Sequence, residues 1–417
     1  MDISPLRASH DFRLLMASGT ITMIGSFITF IAVPVQVKEL TGSYLAVGLV
    51  GVAEFLPMVI FGIYGGALAD ALDRKRMVVI CEVGLLLSIA FLIINAMLPQ
   101  PLVWPLYIFA ALVATFNSLQ RPSLEGLIPR YVPHNMMQAA AALSSLRWNI
   151  GAILGPALGG LVVVIGGVAT AYALDAVTFG ISLLLLLRLT PAPAGPDAQR
   201  ASLSTIAAGL RYAVSRRDLV GTYVVDIVVM AFAMPQALFP FLADQIGAPW
   251  ALGMLYSAGA VGSLAVALTS GWTTHVHRHG LAVILAAAGW GLAITLAGWT
   301  TNLTVILICL AIAGGADMIS GIFRSTIWNQ SIPDELRGRL AGIELLSYSS
   351  GPMLGNARAG FVAQLTGVRF SIVSGGLLCF GAVTALAAAL ADFRRYDART
   401  DPHVLAEKAR RATNPGT

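Results

Sequence analysis

Charge is scarce in this chain. Of 417 residues only 11% are Asp, Glu, Lys or Arg, under half the roughly 25% usual in soluble domains. A soluble protein of this length must cover two or three domains with polar side chains, and so few charges cannot do it. That excludes a soluble enzyme. Lysine is rarer still, confined to Lys38, Lys75 and Lys408. No dense basic run exists, so the net charge of +5 does not read as a nucleic-acid surface. There is no Gly-Lys pair, hence no phosphate-cradling loop and no drive by ATP. Cys81, Cys309 and Cys379 sit in apolar stretches without paired spacing, which excludes a disulfide framework and a cysteine zinc site. Nothing in the residues implies a cofactor.

What is present is apolar: 57% hydrophobic residues and 42 glycines. A helical span needs ~20 residues, so twelve spans need ~240, which this composition accommodates. Apolar windows bounded by Gly, Pro or charge give twelve helices over 14–37, 44–69, 77–98, 102–120, 136–165, 169–188, 219–243, 249–273, 280–300, 303–323, 341–365 and 368–391. The first begins at Leu14 and lacks a small-residue cleavage site, so it reads as a retained span rather than a signal peptide. The expected fold is an all-α membrane protein. Its parts are an N-terminal six-helix bundle over 1–189, a linker over 190–217, a C-terminal bundle over 218–392 and a basic cytoplasmic tail over 393–417. The linker opens with the Pro- and Ala-rich stretch Thr190 to Ser202 and continues as a surface helix through Arg211, Arg216 and Arg217.

Basic residues set the orientation. The termini and every second loop hold 22 of the 26, against Lys38 and Arg369 in the opposite loops and Arg147 and Arg358 inside helices. Because Lys and Arg stay on the cytoplasmic side, both termini are expected inside the inner membrane. An internal repeat agrees with an even helix number. Pro133, Gly151, Gly155 and Gly160 recur as Pro333, Gly351, Gly355 and Gly360 at a constant offset of 200, as a duplicated six-helix unit requires.

Between the second and third helices, GALADALDRKR runs from Gly66 to Arg76. Asp70 and Asp73 stand where the third helix begins and favour its positive end, while Arg74, Lys75 and Arg76 fix topology. In the fifth helix, NIGAILGPALGG spaces Gly151, Gly155 and Gly159 four apart on one face, with Pro156 expected to kink the helix and Gly160 following. The first of these motifs resembles the loop signature of the major facilitator superfamily at Gly66, Asp70, Lys75 and Arg76, although Ala71 and Asp73 replace its usual Arg and Gly. The second resembles the antiporter motif that exporters of the superfamily carry and importers generally lack. Along Phe12 to Val37, and around LRWNIGAILGPALGG, the chain is similar to the branch of enterobactin and related siderophore exporters and macrolide efflux proteins. The resemblance implies two pseudo-symmetric bundles, a latch between halves at the loop motif, and a cavity lined by helices one, two, four, five, seven, eight, ten and eleven.

Ionisable groups at mid-membrane cost ~3 kcal/mol on insertion scales, so those that persist are functional candidates. Glu54, Asp226 and Asp317 are candidate proton carriers, Glu54 first. Arg147 and Arg358 are candidates to hold an anionic catecholate in the cavity. Glu82, Asp175 and Glu344, near helix ends or on a peripheral helix, read as structural. The mid-membrane Arg of helix four in many drug/proton antiporters is absent, the nearest base being Arg121. HVHRH over 275–279 reads as a solvated cytoplasmic turn rather than a metal site. The sequence thus points to a monomeric, proton-coupled exporter of a small organic molecule in the bilayer, a siderophore of the enterobactin type. A macrolide or multidrug antiporter is the alternative, and a non-transporting receptor or assembly factor on the same fold is the more remote one.

Overall fold

The computed structural model describes residues 2–193, 211–332 and 334–413, leaving outside the description the side chains of 63–64, 66–67, 69–71, 217, 334–346 and 408–413. The expected linker therefore falls largely outside the described residues, as do the side chains of Gly66, Asp70 and Glu344.

Among the described residues twelve membrane helices form. They are α1 (His10–Thr41), α2 (Tyr44–Ala71), α3 (Arg74–Ala96), α4 (Trp104–Tyr131), α5 (137–166), α6 (168–187), α7 (Arg217–Ala233), α8 (Leu252–Leu268), α9 (His279–Trp299), α10 (Leu303–Ser331), α11 (Asp334–Thr366) and α12 (Val368–Ala389). Local chemistry sets their ends. The Ser9 hydroxyl accepts from the Phe12 amide at 3.1 Å to start α1, and Gly42 at φ 62° closes it in the left-handed conformation. Ser43 caps α2, Asp73 caps α3 and Asn302 caps α10 in the same way. Among the described residues nine helical stretches are long and apolar enough to cross a membrane. One of these is α5 and α6 joined, and the more polar α4 and α11 complete the set.

Two turns consist of a single glycine. Gly167 at φ 74° separates α5 from α6, and Gly367 at φ 90° separates α11 from α12, conformations that a Cβ would strain. They lie 200 residues apart, extending the repeat seen in sequence. The break in dihedrals falls at Gly167, whereas α5 continues through Pro156. Helix seven departs from expectation in the other direction. Instead of one span to 243, α7 ends at Ala233 and helix resumes at Phe239–Gln245. Pro235 is the reason: it disfavours helical dihedrals at Met234, which is extended at φ −99°, ψ 104°. The Ala233 carbonyl at the break accepts from the Trp290 indole at 3.1 Å, as buried backbone in hydrocarbon requires.

Packing groups Met1–Ala201 with Ala237–Ser257 in one compact unit, and Ser202–Gln236 with Ala258–Thr417 in another. The stretch 237–257, placed by sequence in the C-terminal bundle, thus packs within the first unit. Lys38 at the end of α1 holds it, donating to the Pro240 carbonyl at 2.8 Å and to the Asp244 carboxylate. Tyr44 and Phe241 meet at 4.5 Å between ring centres, and Phe30 and Tyr256 at 5.7 Å. Within this unit, glycines of α5 admit neighbouring backbones. A Cβ on Gly155 would lie 2.6 Å from the Phe27 Cβ, one on Gly159 would lie 2.9 Å from the Ile28 Cα, and one on Gly160 would lie 2.4 Å from the Gly253 nitrogen. In the second unit Gly351 and Gly355 receive Met230 of α7 and Met234 just beyond its end in the same fashion.

Gly159→Leu should therefore destabilise the protein by about 1–3 kcal/mol through overpacking against backbone. Gly180→Ala, where a Cβ meets nothing within 4 Å, should leave stability unchanged. Thermal unfolding of the detergent-solubilised protein distinguishes them, and equal melting temperatures would refute the close-packing argument.

Candidate functional site

The second unit holds a charged cluster built from α7, α10 and α11. Asp226 and Arg324 form an ion pair at 2.6 Å, with 4% and 12% of their side chains exposed. The second Arg324 nitrogen stands 4.0 Å from Asp317, whose side chain is 38% exposed. Asp317 and Arg324 are seven residues apart on α10, two helical turns along one face. Ser347 of α11 lies 3.4 Å from the other Asp226 oxygen. One guanidinium thus serves two acids, one sealed and one partly open. Sequence reasoning missed Arg324 because it ended helix ten at Phe323, whereas α10 runs to Ser331. The heptad spacing from Asp317 was the available signal.

Arg358 has another occupation. Its two terminal nitrogens reach the Ser371 carbonyl at 3.3 and 3.2 Å, and the guanidinium packs against Gly375, whose added Cβ would lie 2.4 Å from Nη2. It joins α11 to α12. Arg216 acts similarly at the start of α7, pairing with Asp218 at 2.5 Å and donating to the Ser331 carbonyl at the end of α10.

In the first unit, Arg147 of α5 lies over Gly19 of α1, where a Cβ would come within 2.0 Å of Nη1. Its Nε is buried without a partner among the described residues. Glu54 of α2 likewise makes no hydrogen bond or ion pair among the described residues. Two further acids receive neutral donors, although Oε1 of Glu82 is buried without a partner among the described residues. The Gln120 amide donates to Glu82 at 2.8 Å, and the Thr29 hydroxyl donates to Asp175 at 2.5 Å.

The repeat relates the two charged positions. Gly151 contacts Met23 and Gly351 contacts Met230, so α1 and α7 correspond as Met23 to Met230 and Gly19 to Asp226. Arg147 corresponds to Ser347 by the offset of 200. One half carries a cation over a glycine, and the other carries an anion against a serine, at equivalent positions.

The loop motif closes helix ends within the first unit. Asp73 caps α3 through the Arg76 amide at 2.9 Å, Arg74 donates to the Gly126 carbonyl of α4 at 2.8 Å, and Lys75 donates to the Leu187 carbonyl at 2.9 Å and to that of Leu189. Cations at the carbonyl end of α6 oppose the negative pole of the helix. The implied latch between halves is not among these contacts. HVHRH also differs from a solvated turn at one end: His279 is 4% exposed, its ring 5.3 Å from Phe323 and 6.0 Å from Tyr396.

Comparison with known proteins bears on this arrangement. The family described as transmembrane secretion effector matches residues 2–412. The chain is 31% identical to the enterobactin exporter EntS of Escherichia coli O1:K1 over 416 residues, spanning 97% of this chain and 98% of the relative. It is 32% identical to the same exporter of Shigella boydii serotype 18 over equal shares. Among solved structures, a POT family transporter in complex with 5-aminolevulinic acid superposes with TM-score 0.73 at 11% identity, over 92% of this chain and 97% of that one. The nucleoside transporter NupG superposes with TM-score 0.72 at 15% identity, over 93% of this chain and all of that one. These relatives and neighbours are transporters, and this chain belongs to the transmembrane secretion effector family of the major facilitator superfamily.

Proposed function

We propose that the protein is a proton-coupled exporter of an anionic siderophore of the enterobactin type. It works as a monomer in the inner membrane, with both termini in the cytoplasm and by alternating access. The observation that carries the reading is the Arg147 guanidinium, at membrane depth and without a described partner for its Nε. An unneutralised cation in hydrocarbon is costly, and an anionic catecholate would supply the missing charge. Arg358, bound to the Ser371 carbonyl, plays the lesser part. The similarity to enterobactin exporters over nearly the whole chain supports the same substrate class.

Coupling belongs to the acids. Asp226 is tied to Arg324 at 2.6 Å, whereas Asp317 shares that arginine only at 4.0 Å and Glu54 has no described partner. Protons taken up from outside by Asp317 and Glu54 and released inside would drive substrate outward. Once Asp317 is neutral, Arg324 is left wholly to Asp226, so a proton changes the number of charges the second unit must bury. Gly151, Gly155, Pro156, Gly159 and Gly160 form the close-packed seam that resembles the antiporter motif, and they supply the rigid surface about which such a change acts.

Arg147→Gln should raise the apparent KM for a catecholate siderophore by about tenfold, equivalent to ~1.4 kcal/mol of lost charged hydrogen bonding. Secretion by a deletion strain complemented with the variant under iron limitation measures this. Unchanged siderophore secretion, together with macrolide sensitivity on deletion, would identify a drug antiporter instead. Asp317→Asn should abolish the dependence of export on an imposed pH gradient in proteoliposomes, and Glu54→Gln should weaken it. Wild-type gradient dependence in both variants would remove these acids from coupling.

A further inference from the structure

A groove of about 850 Å³ opens between α8, α9 and α10 in the second unit. It exists because helix packing there is uneven. Gly262 and Gly314 let α8 and α10 meet backbone to backbone, with added Cβ atoms at 1.7 Å from the Ala311 oxygen and 1.9 Å from the Gly259 oxygen. Gly289 of α9, in contrast, has only the Ala316 Cβ near it, at 4.0 Å from where its own Cβ would stand. The missing side chain at 289 leaves the space. The walls are aliphatic, with Leu285 and Ile312 63% and 57% exposed. A cavity so lined excludes water and accepts hydrocarbon.

One end of the groove is different. Trp272 and Arg278 line it there, and among the described residues Arg278 is the one charged member of the lining. Its side chain makes no hydrogen bond or ion pair among the described residues. Asp397, on which His277 acts electrostatically, is itself held by Arg399 at 3.2 Å. Trp272, 43% exposed, stands in the short turn between α8 and α9, and an amphipathic ring of this kind favours the headgroup region. The groove therefore presents an apolar trough ending in a cation without a partner among the described residues, beside a tryptophan.

We infer that this groove is a binding site for an anionic phospholipid, its acyl chains along Gly289 and its phosphate at Arg278. The phosphodiester supplies the anion that Arg278 lacks, and the chains supply the apolar partner that the walls lack. A soluble ion would leave the trough empty, and an uncharged lipid would leave the cation unpaired. On the proposed orientation Arg278 faces the cytoplasmic leaflet, but binding itself does not depend on export.

Native mass spectrometry of the full chain, purified in detergent and offered equal dioleoyl phosphatidylglycerol and phosphatidylcholine, tests this. Retention of phosphatidylglycerol should be favoured about fivefold, the weight of one basic side chain at an anionic lipid surface. Arg278→Gln should erase the preference while lipid is still retained. Gly289→Phe should expel both lipids without lowering the melting temperature. Should that variant unfold, Arg278→Gln alone decides, because a surface substitution leaves the fold intact. Equal retention of the two lipids by the wild type, or a preference surviving Arg278→Gln, would overturn the inference. So would displacement by glycerol phosphate without chains, which would mark a simple anion site. Loss of siderophore export in Gly289→Phe with lipid retention unchanged would give the groove to the substrate and overturn it equally.

Discussion

In hydrocarbon no water stands ready to satisfy a polar group, so every backbone break and every charge must find its partner inside the chain. The rest of the structure follows from this. Where Pro235 ends α7, the freed Ala233 carbonyl is taken by Trp290. One turn before Pro156, the Ile153 carbonyl accepts a further hydrogen bond from the Ser257 hydroxyl at 2.8 Å. Buried acids receive Gln120, Thr29 or Arg324, and buried bases receive the carbonyls at helix ends. Arg324 and Arg358 each leave Nε unpartnered as Arg147 does, but they make other bonds, whereas Glu54 and Arg147 make none among the described residues; with the open side of Asp317, these carry the transport reading.

Duplication supplied the scaffold, and divergence supplied the chemistry. The glycine seams of α5 and α11 and the one-residue turns at Gly167 and Gly367 are kept in both halves, because close backbone approach and positive φ leave no alternative residue. The positions beside the seams are free to differ. Gly19 with Arg147 in one half, and Asp226 with Ser347 in the other, place opposite charges at corresponding sites. On the proposed function, the cation of the first half would meet the anionic solute, and the acids Glu54 and Asp317, one in each half, would carry the protons.

Much of the fold was legible in the sequence, for a physical reason. Twelve apolar windows are dictated by bilayer thickness, and the glycine repeat by packing, so both survive in single residues. The end of helix ten was not legible, since a helix entering water continues past its apolar part. Arg324 was therefore counted as a loop base rather than the partner of Asp226 and Asp317. The role of Arg358 was equally hidden: depth alone cannot tell a cation facing a wet path from one turned toward the Ser371 carbonyl. His279 in HVHRH appears polar in sequence and is buried because Phe323 and Tyr396, 44 and 117 residues further along, converge on it.

The proposed transport requires that the unpartnered charges border a water-filled path rather than lipid. Single cysteines at 54, 317 and 226, in a protein lacking Cys81, Cys309 and Cys379, test it with a membrane-impermeant thiol reagent. Positions 54 and 317 should react during turnover while position 226 stays protected. If 54 and 317 resist that reagent from both sides yet react with a lipid-soluble maleimide, they face the bilayer, and the proposed coupling sites are not on a water path.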